Sequence, residues 1–204
     1  MNEPIDLPTD SDNYEVLFNA AQSIKNVEGI VCEIGTRRGG GTKVIIDGLL
    51  CVNDCNRNIV CVDPYGNIDY HSNETHTGKS DYTNDMRNDA AINLYRYVKG
   101  KPINLVLYCL EDTEYFDKFK NGVPFYNDVK SVVNQYSLVF FDGPHCSSVV
   151  LKEVEFFLPR TVSGSRFVFD DVCDYNHELI HQLLTENNFT VVESVGRKTS
   201  YIKQ

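Results

Sequence analysis

The 204-residue chain is 42% hydrophobic and 24% charged, which is ordinary for a globular protein and suits one domain with a substantial core. Its formal net charge is −10, and such a surface repels a polyanion unless a local basic patch overrides the total. Composition therefore argues against nucleic acid as the substrate and leaves small polar molecules open. No apolar run approaches the roughly 20 residues that a membrane-spanning helix needs.

The seven cysteines indicate a reducing setting. Cys32, Cys61 and Cys109 lie in apolar runs, where a free thiol behaves as a small hydrophobic group. Cys51 and Cys55 are four residues apart, but no second pair stands at zinc-ligand spacing. An odd number of cysteines and no recognisable signal peptide predict a cytoplasmic protein.

Helical and strand patterns alternate along the chain. Asp12 and Glu15 have the spacing of a capping box at the start of an amphipathic helix. The predicted elements, in chain order, are a helix at 14–24, a strand at 29–34, a helix at 42–50, a strand at 59–62, a helix at 89–98, a strand at 104–109, a mixed helical stretch to about 135, a strand at 137–141, a helix at 147–158, a strand at 166–169, a helix at 177–186, and strands at 189–195 and 200–203.

This alternation predicts an α/β fold. Five short apolar strands separated by helices indicate a doubly wound, mainly parallel sheet with helices on both faces. The last two strands, joined by a Gly-Arg-Lys turn, predict an antiparallel hairpin and bring the sheet to seven strands. We therefore expect a single domain over 1–204.

The stretch after the second strand is polar, rich in Asn and Tyr, and aperiodic. It is longer than the usual connections in a compact domain, and such loops are commonly lids or binding loops. We predict a lid or insert at about 65–88. Tyr65, Tyr70 and Tyr82 are placed to stack on a substrate ring or to pack this loop onto the domain.

Acidic residues follow every predicted core strand. Ligands of doubly wound folds bind at the carboxyl ends of the strands, and carboxylates are otherwise depleted in strands. Each acid alone is most simply a turn residue, but their repetition at five strand ends favours a site. These residues are Glu33, Asp63, Glu111, Asp112, Asp142, Asp170 and Asp171.

The glycine-rich turn at 35–41 allows a ligand to approach the backbone closely. Its spacing is not that of a dinucleotide-binding GxGxxG turn, because Arg37 stands at the position of the second glycine. Asp63 follows the first glycine by about 28 residues, where an acid can accept hydrogen bonds from both hydroxyls of a ribose. The pattern therefore favours an adenosine-type cofactor over a nucleotide diphosphate.

Four segments in order resemble the motifs of class I S-adenosylmethionine-dependent methyltransferases. They are Glu33-Ile-Gly-Thr-Arg-Arg-Gly-Gly-Gly-Thr42, Val62-Asp63-Pro-Tyr65, Phe141-Asp-Gly-Pro-His145 and Val168-Phe-Asp-Asp-Val172. The similarity is to the branch of small-molecule O-methyltransferases that includes macrolide-sugar and catechol-type enzymes, and it covers roughly residues 28–175. It implies S-adenosylmethionine as cofactor and a small polar acceptor with a hydroxyl group.

The resemblance also implies roles for individual residues. It assigns the glycine turn and its neighbours to the methionine part of the cofactor, Asp63 to the ribose, and Glu111 and Asp112 to the adenine. Gly41 replaces a serine of the relatives, so Thr42 or a backbone amide would bind the cofactor carboxylate. The implied cofactor-binding residues are Glu33, Gly35, Thr36, Arg37, Gly39, Thr42, Asp63, Glu111, Asp112 and Asp142.

A divalent cation is predicted beside the cofactor. The fourth and fifth strands are neighbours in this fold, so Asp142, Asp170 and Asp171 should converge, and clustered carboxylates favour a neutralising cation. Oxygen ligands favour Mg²⁺, Mn²⁺ or Ca²⁺ over zinc, with Mg²⁺ the first choice, and the relatives bind a metal at the matching positions. The alternative is that Asp170 turns the chain and Asp171 caps the next segment.

His145 is the candidate catalytic base, together with Asp142. A neutral imidazole can remove a hydroxyl proton, while the cation and Asp142 would position that hydroxyl. The alternative role for His145 is a turn residue that packs on the next helix.

Two other functions stay open: a catalytically inactive cofactor-binding or regulatory module, supported by Gly41, and an NAD-dependent oxidoreductase, disfavoured by the glycine spacing. A homo-oligomer is compatible with the sequence, and no membrane partner is predicted.

Overall fold

The computed structural model describes residues 4–204. Within this range the helices are α1 Glu15–Ser23, α2 Gly40–Cys51, α3 Asn84–Val98, α4 Asp112–Phe119, α5 Ser147–Phe157 and α6 His177–Glu186. The strands are β1 Ile30–Ile34, β2 Arg57–Val62, β3 Asp69–His71, β4 Thr77–Lys79, β5 Ile103–Tyr108, β6 Val123–Asn127, β7 Val129–Val133, β8 Tyr136–Phe141, β9 Thr161–Phe169, β10 Phe189–Val195 and β11 Lys198–Lys203.

Seven strands form one sheet in the order β10-β11-β9-β8-β1-β2-β5. The five strands from β9 to β5 run parallel, and β11 pairs antiparallel with both β9 and β10. This arrangement confirms the predicted doubly wound sheet with a C-terminal antiparallel hairpin. The chain moves from β1 outward to β2 and β5, then returns to build the other half from β8, so the order reverses between β1 and β8. A ligand crevice opens at such a point.

The central strands are apolar because both faces of the sheet are covered. All five residues of β1 and all six of β8 are buried. Side chains alternate between the faces, so Ile30, Cys32 and Ile34 join one core cluster while Val31 joins the other. Cys32 and Cys61 are buried free thiols, as their apolar surroundings predicted, whereas Cys109 is exposed because it lies just beyond the end of β5.

Three local predictions were wrong. Asp12 and Glu15 do not form a capping box, because the N-cap is Tyr14 and makes no side-chain cap bond. The stretch after α4 is not helical to 135; it forms the separate hairpin β6–β7, which turns at Asp128 with φ +57°. The polar loop contains the short hairpin β3–β4, and α3 begins at Asn84, five residues earlier than predicted, because the Thr83 side chain caps it.

No helix among residues 4–204 is long and apolar enough to cross a membrane.

Gly35 follows β1 directly and lies against the backbone of Asp142 and Gly143, which follow β8, and we expect Gly35→Ala to destabilise the fold strongly. Its φ is +87°, and an added Cβ would lie 2.0 Å from the backbone oxygen of Asp142. Gly100 is a matched control, because its φ is +78° and nothing lies within 4 Å of an added Cβ. Chemical denaturation should show a loss of about 1 kcal/mol for Gly100→Ala and about 3 kcal/mol or more for Gly35→Ala. Equal losses would mean that the close strand approach is relaxed in solution.

Candidate active site

A cavity of about 610 Å³ opens at the carboxyl ends of β1, β2, β5, β8 and β9. The segment around β3, the segment containing Asp10 and Ser11, and the α5 residues Val149 and Lys152 supply further parts of its wall. Six of the ten predicted cofactor residues line it and four lie behind the wall. The lining residues are Gly35, Arg37, Asp63, Glu111, Asp112 and Asp142, and the others are Glu33, Thr36, Gly39 and Thr42.

The glycine turn is held in place by the N-terminal segment. The Arg37 guanidinium binds Asp10 at 2.9 Å and lies 5.7 Å from the centre of the Tyr82 ring. A Cβ on Gly40 would lie 2.2 Å from the backbone oxygen of Pro8, so only glycine lets this segment pack on the start of α2. This packing explains why Gly39 does not face the cavity.

Glu33 is a buried carboxyl group beside the cavity. It accepts a hydrogen bond from the Thr42 hydroxyl, and burial raises its pKa to about 8. A Cβ on Gly41 would lie 2.2 Å from Glu33 Oε1. A side chain at position 41 would therefore collide with the Glu33 carboxyl in this arrangement.

The raised pKa of Glu33 predicts a pH-dependent stability. Between pH 4.5, the ordinary pKa of a glutamate, and about 8, Glu33 keeps its proton in the folded state and loses it in the unfolded state. Its contribution to the free energy of unfolding is therefore fully present below pH 4.5 and is lost as the pH rises to 8. We expect Glu33→Gln, which cannot ionise, to gain stability relative to wild type by up to about 1.4 kcal/mol per pH unit across this window. Urea denaturation of the ligand-free protein measures it, with the exposed Glu28→Gln as control. A constant difference between pH 5 and 8 would contradict a buried, protonated Glu33.

Asp63 presents its carboxylate to the cavity from the end of β2. Its two oxygens accept backbone N–H bonds from Arg37 at 2.8 Å and Tyr65 at 3.0 Å. Burial raises its pKa to about 6, and these hydrogen bonds oppose the shift. The Tyr65 hydroxyl donates to the backbone oxygen of Arg37 at 2.8 Å, which ties β2 to the glycine turn. Backbone amides therefore hold the carboxylate at the edge of the cavity, where it can also accept a hydrogen bond from a ligand.

Glu111 and Asp112 begin α4 at the far wall, where Glu111 forms a capping box with Glu114. Glu153 on α5 is a buried acid near them that the sequence analysis missed. Burial and the nearby charge of Asp112 raise its pKa well above the usual range. The sequence contains one indication that Glu153 is buried: it lies on the same apolar stripe of α5 as Val150 and Val154.

The three predicted metal ligands meet at one edge of the cavity, but two of them are bound to basic side chains. Lys198 Nζ lies 2.7 Å from Asp170 Oδ2, and Arg197 Nε lies 2.5 Å from Asp171 Oδ1. Burial and the charge of Asp170 raise the pKa of Asp142 well above its usual range. Among residues 4–204, no three His, Cys, Asp or Glu side chains are placed to share a metal ion. This donor set does not fit the predicted cation.

His145 lines the cavity and pairs with Asp171, whose Oδ2 lies 3.3 Å from its Nε2. Burial lowers the pKa of His145 below 6.5, and the charge of Asp171 opposes the shift. The imidazole is therefore neutral at physiological pH. The neutral ring can accept a proton, and Asp171 lies close enough to form an ion pair with the imidazolium that results.

The hairpin β3–β4 covers the cavity beside His145. The Tyr70 hydroxyl donates to the Gly143 oxygen at 3.0 Å, and the His145 amide donates to the His71 oxygen at 2.8 Å. Glu74, between the two strands, accepts amide bonds from Ser147 at 3.2 Å and Asn176 at 2.9 Å. Tyr70 packs edge-on against both Tyr82 and His145. These contacts make the hairpin one wall of the region around His145.

A doubly wound sheet that ends in an antiparallel strand pair, with an acidic cavity at the switch point, defines a class I methyltransferase architecture. A family model of the methyltransferase domain matches residues 32–172. The chain therefore belongs to the methyltransferase domain family, which removes the support for an oxidoreductase. No curated protein sequence matches the chain significantly.

Solved structures share this fold at low sequence identity. The O-methyltransferase from Bacillus cereus in complex with SAH is 14% identical, with 97% of this chain and 84% of that chain covered and a TM-score of 0.62. The O-methyltransferase NovP is 13% identical, with 94% and 79% covered and a TM-score of 0.62. An rRNA methylase from Streptococcus thermophilus is 9% identical, with 96% and 99% covered and a TM-score of 0.55. The fold is thus shared by enzymes with different acceptors, and the acceptor has to be argued from the cavity.

Proposed function

We propose that this protein transfers the methyl group of S-adenosylmethionine to a hydroxyl group of a small acceptor. One observation carries the proposal: a single cavity is lined both by Gly35, Asp63 and Glu111, at the positions implied for cofactor binding, and by the neutral base His145. Its volume lies in the usual range for small-molecule sites.

The reaction requires mainly that the acceptor oxygen is aligned with the sulfonium methyl group and that one group accepts the hydroxyl proton. The acceptor oxygen attacks the sulfonium methyl carbon as the carbon–sulfur bond breaks, and S-adenosylhomocysteine leaves. The hydroxyl proton passes to the His145 imidazole, and Asp171 stabilises the resulting imidazolium. Holding the reactants in line contributes about 7 to 11 kcal/mol in well-oriented systems. Asp142, favoured in its neutral form, can hydrogen-bond the acceptor hydroxyl.

The divalent cation predicted from the sequence takes no part in this reaction, because Asp170 and Asp171 are already paired with Lys198 and Arg197. The inactive-module alternative, which Gly41 supports, predicts no methyl transfer to any acceptor, and the transfer assay described below therefore tests it.

The charge of the cavity limits the acceptor. Nine carboxyl groups line it, but Asp142 is favoured in its neutral form and several others are paired with basic side chains. Asp63, Glu111 and Asp112 remain as acids of the lining, against the basic Lys152. A lining of this sign attracts cations and repels anions. S-adenosylmethionine itself carries a sulfonium charge. The acceptor is therefore a neutral or cationic molecule, in contrast to a phosphate- or carboxylate-bearing one.

Transfer of labelled methyl groups tests the proposal directly. The acceptors are three compounds with the same dihydroxyphenyl ring and an ammonium, an uncharged or a carboxylate side chain. We expect transfer to the first two, with kcat/KM at least about tenfold higher than for the carboxylate, the equivalent of about 1.4 kcal/mol. Preference for the carboxylate would contradict the charge argument, and no binding of S-adenosylmethionine by calorimetry would contradict the proposed function.

A further inference from the structure

Lys198 is a fully buried lysine at the edge of the active-site cavity. Its side chain is 0% exposed, and its ammonium donates to Asp170 Oδ2 at 2.7 Å, Ser11 Oγ at 2.6 Å and the Asp12 backbone oxygen at 2.9 Å. An ammonium has three N–H donors, and all three have partners. The group also lies 4.1 Å from the centre of the Tyr14 ring, which supplies a cation–π contact. The surroundings of Lys198 are therefore those that a positively charged side chain needs.

Strand pairing delivers the lysine to this position. β11 runs antiparallel to β9, and Thr199 pairs with Phe169, so one step further along the ladder Lys198 faces Asp170. A buried lysine is costly unless it is paired and fully hydrogen-bonded. Because Lys198 lies directly against an aspartate that lines the cavity, it neutralises a charge of the cavity wall, which a lysine elsewhere in the core would not do.

Arg197 brings a second charge to the same place. It precedes Lys198 at the turn of the C-terminal hairpin, binds Asp171 at 2.5 Å, and also contacts the Asp174 carboxylate. The two neighbouring basic residues thus neutralise the two neighbouring aspartates at the end of β9. Together they carry two positive charges, the charge of the divalent cation that this acidic edge would otherwise require.

We propose that Lys198 and Arg197 are a built-in replacement for the divalent cation, so that this chain transfers methyl groups without a bound metal. The statement that methyl transfer needs no metal rests on the proposed function. The statement that Lys198 and Arg197 take the place of the cation rests on the ion pairs alone. Lys198 and Arg197 are positioning residues: they hold Asp170 and Asp171 in place, and Asp171 in turn orients His145.

Metal binding is tested on the protein itself, without an acceptor. Mn²⁺ is titrated into metal-stripped wild type and followed by electron paramagnetic resonance. We expect no binding below millimolar Mn²⁺ for wild type. The variant Arg197→Gln, whose side chain is 47% exposed and whose loss should not unfold the chain, is expected to bind Mn²⁺ at least about tenfold more tightly than wild type, because Asp171 and Asp174 lose their counter-charge. Lys203→Met, on the same strand but away from the aspartates, is the control and should behave as wild type.

Activity gives the second readout. Methyl transfer by wild type is expected to change less than twofold between excess EDTA and millimolar Mg²⁺. Tight binding of one Mn²⁺ by wild type, abolished by Asp170→Asn, would overturn the inference, as would a loss of activity above tenfold in EDTA that Mg²⁺ restores. Calorimetry with S-adenosylhomocysteine separates the two proposals: if it does not bind, the proposed function fails, while the Mn²⁺ titration still decides whether the two basic residues replace a metal.

Discussion

His145→Ala is expected to lower kcat about 10²- to 10⁴-fold, the usual contribution of a general base, while the affinity for S-adenosylmethionine stays within a few-fold of wild type. The reason is the position of the imidazole: it lines the cavity, it is neutral because burial lowers its pKa, and Asp171 fixes its orientation. Single-turnover measurements with saturating cofactor and acceptor isolate this step. His76→Ala, an exposed histidine of the covering hairpin, is the control and should retain full activity.

The pH profile gives an independent check. Because the base must be unprotonated, kcat/KM should fall on the acid side with an apparent pKa below 6.5, the ordinary value that burial lowers. Asp171→Asn should slow transfer less than His145→Ala does, since it removes orientation but leaves the base. Full activity of His145→Ala would show that another group or solvent takes the proton.

Asp63→Ala should weaken S-adenosylmethionine binding about 100-fold, because two hydrogen bonds to a carboxylate are lost and each contributes about 1.5 kcal/mol. The Asp63 carboxylate is 3% exposed and is held by the Arg37 and Tyr65 amides, so its position toward a ligand is fixed. Calorimetric titration measures the change. Because those two amides lose their partner, the unfolding free energy has to be measured alongside.

Two further variants make the test specific. Asp63→Asn keeps the shape and one acceptor oxygen, so its loss of affinity should be smaller than that of Asp63→Ala. Asp117→Asn, at an exposed aspartate of α4, should bind as wild type. Equal affinity of Asp63→Ala and wild type for the cofactor would remove Asp63 from the binding site.

The central sheet was predictable because buried parallel strands have continuous apolar sequences. The runs around Val31, Val60 and Val139 could be placed without knowing their partners, and their alternation with helices set the topology. The hairpin β6–β7 was not predictable by the same means. Most residues of β7 are exposed, with Val129 at 73% and Val132 at 57%, so burial leaves no alternating pattern in the sequence.

The candidate site was predictable where strand ends carry acids. Asp63 and Asp142 follow their strands directly, His145 follows Asp142 by three residues, and all three line one cavity. Lys198 and Ser11 were not predictable, because each stands in a polar stretch that resembles a solvated turn or leader. The antiparallel pairing of β11 with β9 brings Lys198 to Asp170, and the packing of the N-terminal segment brings Ser11 there.

The residues that line the cavity and those that balance its charge come from different parts of the chain. The segment that matches the family, 32–172, holds the glycine turn, Asp63 and His145. Asp10 and Ser11, at one end of the chain, and Arg197 and Lys198, at the other, lie outside that segment, yet they complete the wall and the charge balance around the same aspartates. Substitution of Arg197 or Lys198 therefore changes the charge beside Asp170 and Asp171, whereas substitution of Asp10 also removes the ion pair that holds Arg37 of the glycine turn. Equally, cutting the chain at the limits of the family match would leave Asp170 and Asp171 without the basic side chains that neutralise them.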